Sequence, residues 1–200
     1  MGSNSYEKPD FWSKKAFSEG YPARSVYKLQ EIDEKFHLLT KQGKIIDLGA
    51  APGSWTVYVL RYLEGKGALT AIDLSPLAKD VKGENLTFIQ GDLYDERVRN
   101  HAASLGPYDT LICDAAPPTT GNKLVDTARS SDLVELALFY VQGMLKKGGN
   151  CAVKIFQGGD QNILLSQMRS IFKTAKGFKP KACRSESFET YLIGLDKKEV

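Results

Sequence analysis

From Ile45 to Trp55 the chain reads Ile-Ile-Asp-Leu-Gly-Ala-Ala-Pro-Gly-Ser-Trp, a β-branched run passing through two glycines and three small residues into an amphipathic segment. Few architectures accept such a unit. A strand that turns through glycine straight into a helix belongs to an open α/β sheet, with its ligand at the strand's carboxyl end. Gly49 and Gly53 are expected to bring bare backbone up to that ligand, because a side chain at either position would fill its space. The spacing also excludes two common nucleotide loops. A dinucleotide fingerprint needs G-x-G-x-x-G, which Ala51 and Pro52 interrupt, and no Walker lysine follows.

Acids at successive strand ends narrow the ligand further. Asp47, two residues ahead of Gly49, would repel a pyrophosphate but suits a ligand carrying positive charge, such as the ammonium and sulfonium of S-adenosylmethionine. Asp73 follows the strand-like Leu69-Thr-Ala-Ile and is placed to accept hydrogen bonds from ribose hydroxyls. Asp92 follows Leu86–Gln90 and Gly91, where a polar group meets an adenine edge. One such acid is ordinarily a solvated strand-end residue; a series of them points to a shared ligand.

Periodicity predicts alternating elements along most of the chain. A helix over Arg24–Phe36 places Val26, Leu29, Ile32 and Phe36 on one face. Strands are expected at Lys44–Leu48, Ala68–Ile72, Leu86–Gln90, Thr110–Cys113 and Asn150–Ile155, with helices at Ser54–Leu63, Glu96–Ser104, Ala128–Leu145 and Gln161–Phe172. The long helix is read as capped by Lys146-Lys147-Gly148-Gly149, and the proline-rich stretch from Asp114 to Thr127 as a substrate loop. Two last strands, Phe178–Cys183 and Thr190–Leu195, have no helix between them and should pair antiparallel. The expected fold is an α/β, doubly wound, Rossmann-like sheet of seven strands with an antiparallel C-terminal hairpin and a short N-terminal helical appendage.

With 200 residues, 42% of them hydrophobic, the chain can bury a full core, and a single domain spanning 1–200 is expected, with 1–40 as a basic appendage. No run approaches the roughly 18 apolar residues of a membrane span, and the N-terminus lacks a signal-peptide core. A soluble, cytoplasmic monomer is the expectation. Cys113, Cys151 and Cys183 are widely spaced and read as buried thiols, while His37 and His101 sit in polar contexts and read as surface residues; no metal site is expected.

The net charge is only +3, yet the charges are unevenly placed. Arg169, Lys173, Lys176, Lys179, Lys181 and Arg184 follow one another without an acid, and Lys8, Lys14, Lys15, Arg24 and Lys28 lie near the N-terminus. A polyanion has room between them, although basic runs are more often solvated faces. Phe11, Trp12, Tyr21 and Tyr27 interleave with the N-terminal cations, as stacking on unpaired bases requires and as packing on the domain would equally explain. Lys154 is the unusual residue. It sits in Cys-Ala-Val-Lys-Ile-Phe, apolar on both sides, where an unpartnered ammonium is costly unless it reaches water at a sheet edge.

Taken together these segments resemble the FtsJ/RrmJ family of RNA ribose 2′-O-methyltransferases from about Gly20 to Gly194. The resemblance rests on Ser25-Val-Tyr-Lys28-Leu, Asp47-Leu-Gly-Ala-Ala-Pro-Gly-Ser-Trp55, Asp73-Leu, Gly91-Asp92, Asp114-Ala-Ala-Pro, Val153-Lys154-Ile-Phe-Gln-Gly158 and Ser187-Phe-Glu189-Thr-Tyr. It implies a catalytic Lys-Asp-Lys-Glu tetrad at Lys28, Asp114, Lys154 and Glu189, and a S-adenosylmethionine pocket using Gly53, Trp55, Asp73, Asp92 and Asp114. Ser54 and Pro118 depart from the family pattern, which more often has Gly and Asn there. Within that resemblance Lys154 is the candidate general base, and the compact chain points to ribosomal RNA of the large subunit, in an assembled or assembling particle, ahead of tRNA. Two other readings are a nicotinamide oxidoreductase, against which the glycine pattern speaks, and a catalytically silent RNA-binding or ribosome-assembly factor.

Overall fold

The computed structural model describes residues 10–158, 160–184 and 186–199. Among them the chain alternates as expected after two N-terminal helices, α1 (Phe11–Ser18) and α2 (Val26–Phe36). Then follow β1 (Lys44–Leu48), α3 (Ser54–Leu63), β2 (Ala68–Asp73), β3 (Leu86–Gln90), α4 (Glu96–Leu105) and β4 (Tyr108–Cys113). The chain closes with α5 (Lys123–Met144), β5 (Leu145–Phe156), α6 (Gln161–Ile171), β6 (Phe172–Phe178) and β7 (Glu189–Lys197). These strands form a seven-stranded sheet in the order β3-β2-β1-β4-β5-β7-β6. Strands β1 to β5 pair in parallel, while β7 inserts antiparallel between β5 and β6.

Two apolar layers cover the sheet. On one face Leu48, Leu111, Val153 and Leu192 pack against α4, α5 and α6 through Ala102, Val134, Val141 and Met168. On the other, Ile45, Ile112, Ala152, Tyr191 and Ile193 meet Leu29 and Ile32 of α2 and Trp55 and Val59 of α3. Side chains alternate across a strand, so successive residues of β5 and β7 serve different layers. Ala152 and Lys154 therefore share the α2–α3 face.

Several boundaries differ from the sequence reading. The strand expected at Phe178–Cys183 is instead β6, from Phe172 to Phe178, because Pro180 has no N–H to give a ladder and the chain turns there. Helix α5 starts earlier than expected, at Lys123, where Asn122 accepts from the amides of Leu124 and Val125. The substrate loop is correspondingly shorter. At its other end the lysine–glycine run is not a cap but the start of β5: Leu145 pairs with Tyr108, and the register shifts before Asn150 pairs with Thr110. The expected helical appendage holds a second helix, α1, that the periodicity does not mark; it is only eight residues long, and Asp10 caps it by accepting from the Ser13 amide. Lys8 lies outside the described residues.

Gly194 shows how tightly the antiparallel strands are packed. It pairs with Cys151 on β5 and Ala175 on β6, and a β-carbon there would come within 2.5 to 2.8 Å of ring atoms of the buried Phe172. Gly194→Ala should therefore destabilise the protein by about 1–3 kcal/mol, the usual range for overpacking, read as a lower midpoint in urea unfolding.

Candidate active site

The antiparallel register of β5 and β7 assembles the centre of the site. Lys154 stands opposite Tyr191 and Phe156 opposite Glu189, so these four side chains share the face toward α2. Strand β4 delivers Asp114 just past its last residue, and α2 brings Lys28 across the same face. Two ion pairs result. Lys154 Nζ lies 3.0 Å from Asp114 Oδ1 and also donates to the Asp114 carbonyl oxygen, while Lys28 Nζ lies 2.6 Å from Glu189 Oε1. The four residues named from the resemblance are thus brought together from distant parts of the chain, and Lys154 is a buried residue of an interior strand, not an edge lysine.

Sequence reasoning passed over Tyr191. Its hydroxyl donates to Asp114 Oδ1 at 2.7 Å, and its ring lies 5.7 Å from that of Trp55. The available signal was the period of two from Glu189, which puts both side chains on one face of β7. Burial raises the Tyr191 phenol well above its ordinary range, as do Asp114 and Glu189, so it stays a donor. Burial would raise Asp114 as well, but Lys154 and Lys28 outweigh it and hold the carboxyl below its usual range. For Lys28, burial acts against the charge, while Asp114 and Glu189 prevail and keep the ammonium above its usual range.

Beside this cluster opens a cavity of about 460 Å³ whose lining includes Lys28, Lys154, Glu189, Phe156, Phe188 and Arg184. That volume lies within the span typical of small-molecule pockets. Arg24 at its margin pairs with Asp10 and donates to the Ala182 carbonyl at 2.7 Å. Of the interleaved aromatics, Phe11 is exposed, Trp12 packs on Tyr27, and Tyr27 is itself core. Lys173 of the basic run pairs with Asp196, and Lys179 donates to the Ser187 carbonyl.

The expected cofactor acids sit where the parallel strands end. Asp73 accepts from the amides of Ala51 and Ser75 at 2.9 and 2.7 Å, which ties the glycine loop to β2. Asp92 is exposed and accepts from the Tyr94 amide. Asp47 is fully buried; its Oδ2 accepts from Thr56, and its Oδ1 has no partner among the described residues. Ser54 Oγ, at the helix start, is likewise buried without a partner. Trp55 turns its indole inward, donating to the Ser25 carbonyl at 2.8 Å, so that α3 is braced on the start of α2.

The glycines are also needed for packing within the protein. A β-carbon on Gly49, at φ +72°, would meet Ala115 at 2.6 Å, and one on Gly53, at φ +112°, would meet Val81 at 2.8 Å. Both are required by the close approach of protein to protein. The donor set nevertheless fits S-adenosylmethionine. Carboxylates, with an unpaired buried oxygen among them, face the loop, and the described stretch from Asp47 to Trp55 contains no cation to attract a phosphate.

The three cysteines are buried and free, and burial pushes each thiol up to about 12, so none is a nucleophile. His37 and His101 are exposed. No helix among the described residues is long and apolar enough to cross a membrane.

Fold and site together define a methyltransferase of the Rossmann-like class. The match to known proteins specifies the branch: the FtsJ-like methyltransferase family matches residues 21–197, and the chain belongs to that family, whose methyl donor is S-adenosylmethionine. It is 64% identical to the ribosomal RNA large subunit methyltransferase E of Treponema denticola, over 99% of this chain and 100% of that one. The protein of the same description from Treponema pallidum is 43% identical, over 95% of this chain and 94% of its own length. A Plasmodium falciparum crystal structure described as a ribosomal RNA methyltransferase superposes with a TM-score of 0.79 at 28% identity, covering 90% of this chain and 100% of that one.

Burial and the neighbouring Asp114 and Asp73 carboxylates raise Asp47 from 3.8 to about 7 against the hydrogen bond from Thr56. A carboxyl that is raised on folding binds its proton more tightly in the folded state. Without cofactor, the Asp47 contribution to stability should therefore fall as pH rises from about 4 to about 7, so the wild-type minus Asp47→Asn difference in urea-unfolding free energy should decline across that window.

Proposed function

We propose that this chain is an S-adenosylmethionine-dependent 2′-O-ribose methyltransferase acting on ribosomal RNA of the large subunit, with Lys154 as the general base. The observation that carries the reading is that Lys154, paired with Asp114, and the Lys28–Glu189 pair line one cavity. The names of the relatives supply the RNA.

When bound, S-adenosylmethionine supplies a methyl group already activated by its sulfonium charge. The protein must then align a ribose hydroxyl and take its proton. Alignment is the larger share, since effective molarity is worth roughly 7–11 kcal/mol, whereas proton removal typically contributes about 10²–10⁴-fold. Gly53, Asp47, Asp73 and Asp92 would hold the cofactor from the carboxyl ends of the parallel strands, with Gly49 keeping the loop close to β4. Trp55 braces that loop from behind.

In the acceptor cavity, Lys154 would first give up its ammonium proton to solvent, and as the neutral amine, still donating to Asp114, would then take the 2′-hydroxyl proton on the free lone pair of Nζ. Asp114 fixes the direction of that amine, and Tyr191 fixes Asp114. Lys28 keeps its charge and gives the developing ribose oxyanion a stationary cation. Glu189 holds Lys28 at the cavity wall. Arg24, Arg184 and the N-terminal lysines of the 1–40 appendage would steer the RNA backbone toward the cavity. In this reading the enzyme works as a single-domain monomer in the cytoplasm, on assembled or assembling large subunits.

Purified protein with methyl-labelled S-adenosylmethionine, offered large ribosomal subunits, free ribosomal RNA and tRNA, tests the substrate. Label should appear at a ribose 2′-oxygen of ribosomal RNA; label confined to tRNA, or RNA binding without transfer, would overturn the proposal. Lys154→Ala should lower turnover by at least about 100-fold while cofactor affinity, read by calorimetry, changes little. A variant that keeps a substantial part of the wild-type rate would exclude Lys154 as the base.

A further inference from the structure

The Lys28–Glu189 contact joins residues far apart in the chain: the β5–β7 register and the packing of α2 bring them near each other, and the loop before Glu189 adds a further tie. Glu189 opens β7, at the end of the long connection that leaves β6 after Phe178. That connection is fastened to α2 at a few defined points. Glu31, one helical turn beyond Lys28, accepts from the Ala182 amide with Oε1 and from the Lys181 amide with Oε2, each at 2.7 Å. Arg24, four residues before Lys28, donates to the Ala182 carbonyl. Lys28 and Glu31 are three residues apart on α2 and share one helix face, so the side chain that pairs with Glu189 and the one that grips its loop project together, while Arg24 adds its contact from the turn before the helix.

We propose that Glu31 is a positioning residue for methyl transfer: by accepting the Lys181 and Ala182 amides it holds the β6–β7 connection on α2 and so helps set the geometry of the Lys28–Glu189 pair. This rests on the functional reading above. Both oxygens of one carboxylate are used on adjacent backbone amides, a fork that fixes orientation as well as distance. Cutting the fork leaves two amide donors to find water and frees Lys181 and Ala182 from α2, so that the cavity-lining end of the connection, Ser187 to Glu189, is left held from the β5 side, by the Gln157 amide on the Phe188 carbonyl and the Phe156–Glu189 pairing. Glu31 touches no reacting atom in this account. Its effect on rate passes through Glu189.

That route predicts a particular failure of additivity. Glu31→Ala should slow single-turnover methylation of ribosomal RNA by about tenfold or more, since misplacement of about 1 Å is enough to cost 10²-fold, while cofactor affinity stays within about twofold. Glu31→Gln keeps one acceptor oxygen and should lose less. In a Glu189→Gln background the Glu31→Ala change should cost under about twofold. Losses that multiply in the double variant, or a wild-type rate in Glu31→Ala, overturn the proposal. Should Glu31→Ala fail to fold, Glu31→Gln carries the same cycle. The cycle is also measured as unfolding free energy without RNA: coupling between positions 31 and 189 upholds the brace, and additivity overturns it. A wild-type protein that methylates no RNA but shows that coupling would sink the functional reading and leave the brace standing.

Discussion

A lysine on an interior strand has to be met by something, and in this protein the answer to that demand organises the site. Lys154 is buried on β5 between β4 and β7, where an unpaired ammonium would be prohibitive. Asp114 meets it with both carboxylate and carbonyl, and Tyr191 from the opposing strand secures Asp114 in turn. Such a cluster is weak as a source of stability, because desolvating two charges consumes most of what their attraction returns. Its value is directional. An amine held this way has one orientation, and that orientation is toward the acceptor cavity.

The pairing depends on β7 running antiparallel. In a sheet that stayed parallel throughout, the strand beside β5 would end where β5 ends, and its first residues would lie at the far side of the molecule. Reversal brings the opening residue of β7, Glu189, to the carboxyl end of β5, opposite Phe156 and next to Lys154's face. The same reversal lets α2 reach the site. Tyr191 and Ile193 belong to the layer that holds Leu29 and Ile32, so packing of α2 on that layer places Lys28 against Glu189.

The sequence made much of this legible, and its failures share a cause. Strands β1 and β3 and helix α3 were read to the residue because local signals agree there: β-branched runs, glycine turns and an amphipathic period reinforce one another. Where tertiary pairing decides, local reading slipped. Phe178–Cys183 is apolar enough to look like a strand, yet Pro180 removes a donor and β7 pairs with the segment before it. Lys146–Gly149 has the composition of a helix cap, but Leu145 is taken up by Tyr108 on β4. Tyr191 escaped notice as a site residue because a tyrosine in an apolar strand reads as core, and core it is, apart from one hydroxyl. Spacing along the chain carries no information about which remote carboxylate that hydroxyl will meet.

Gly49 illustrates how closely the two halves of the site are joined. Besides any ligand's need for space there, the atoms that would crowd a side chain at this position belong to Ala115, the residue after Asp114. The cofactor loop and the acceptor loop are thus in van der Waals contact at a position where neither has a side chain to spare. Asp73 ties the same loop to β2 through the Ala51 amide, so the loop has no freedom to relax away from that contact. A transfer reaction whose main difficulty is alignment gains from this arrangement, since the donor and acceptor sides are registered by close contact at the backbone, with only the short Ala115 and Asp73 side chains taking part. Any substituent at position 49 would push on the strand end that carries Asp114, and the disturbance would reach Lys154 through the ion pair before it reached the rest of the fold.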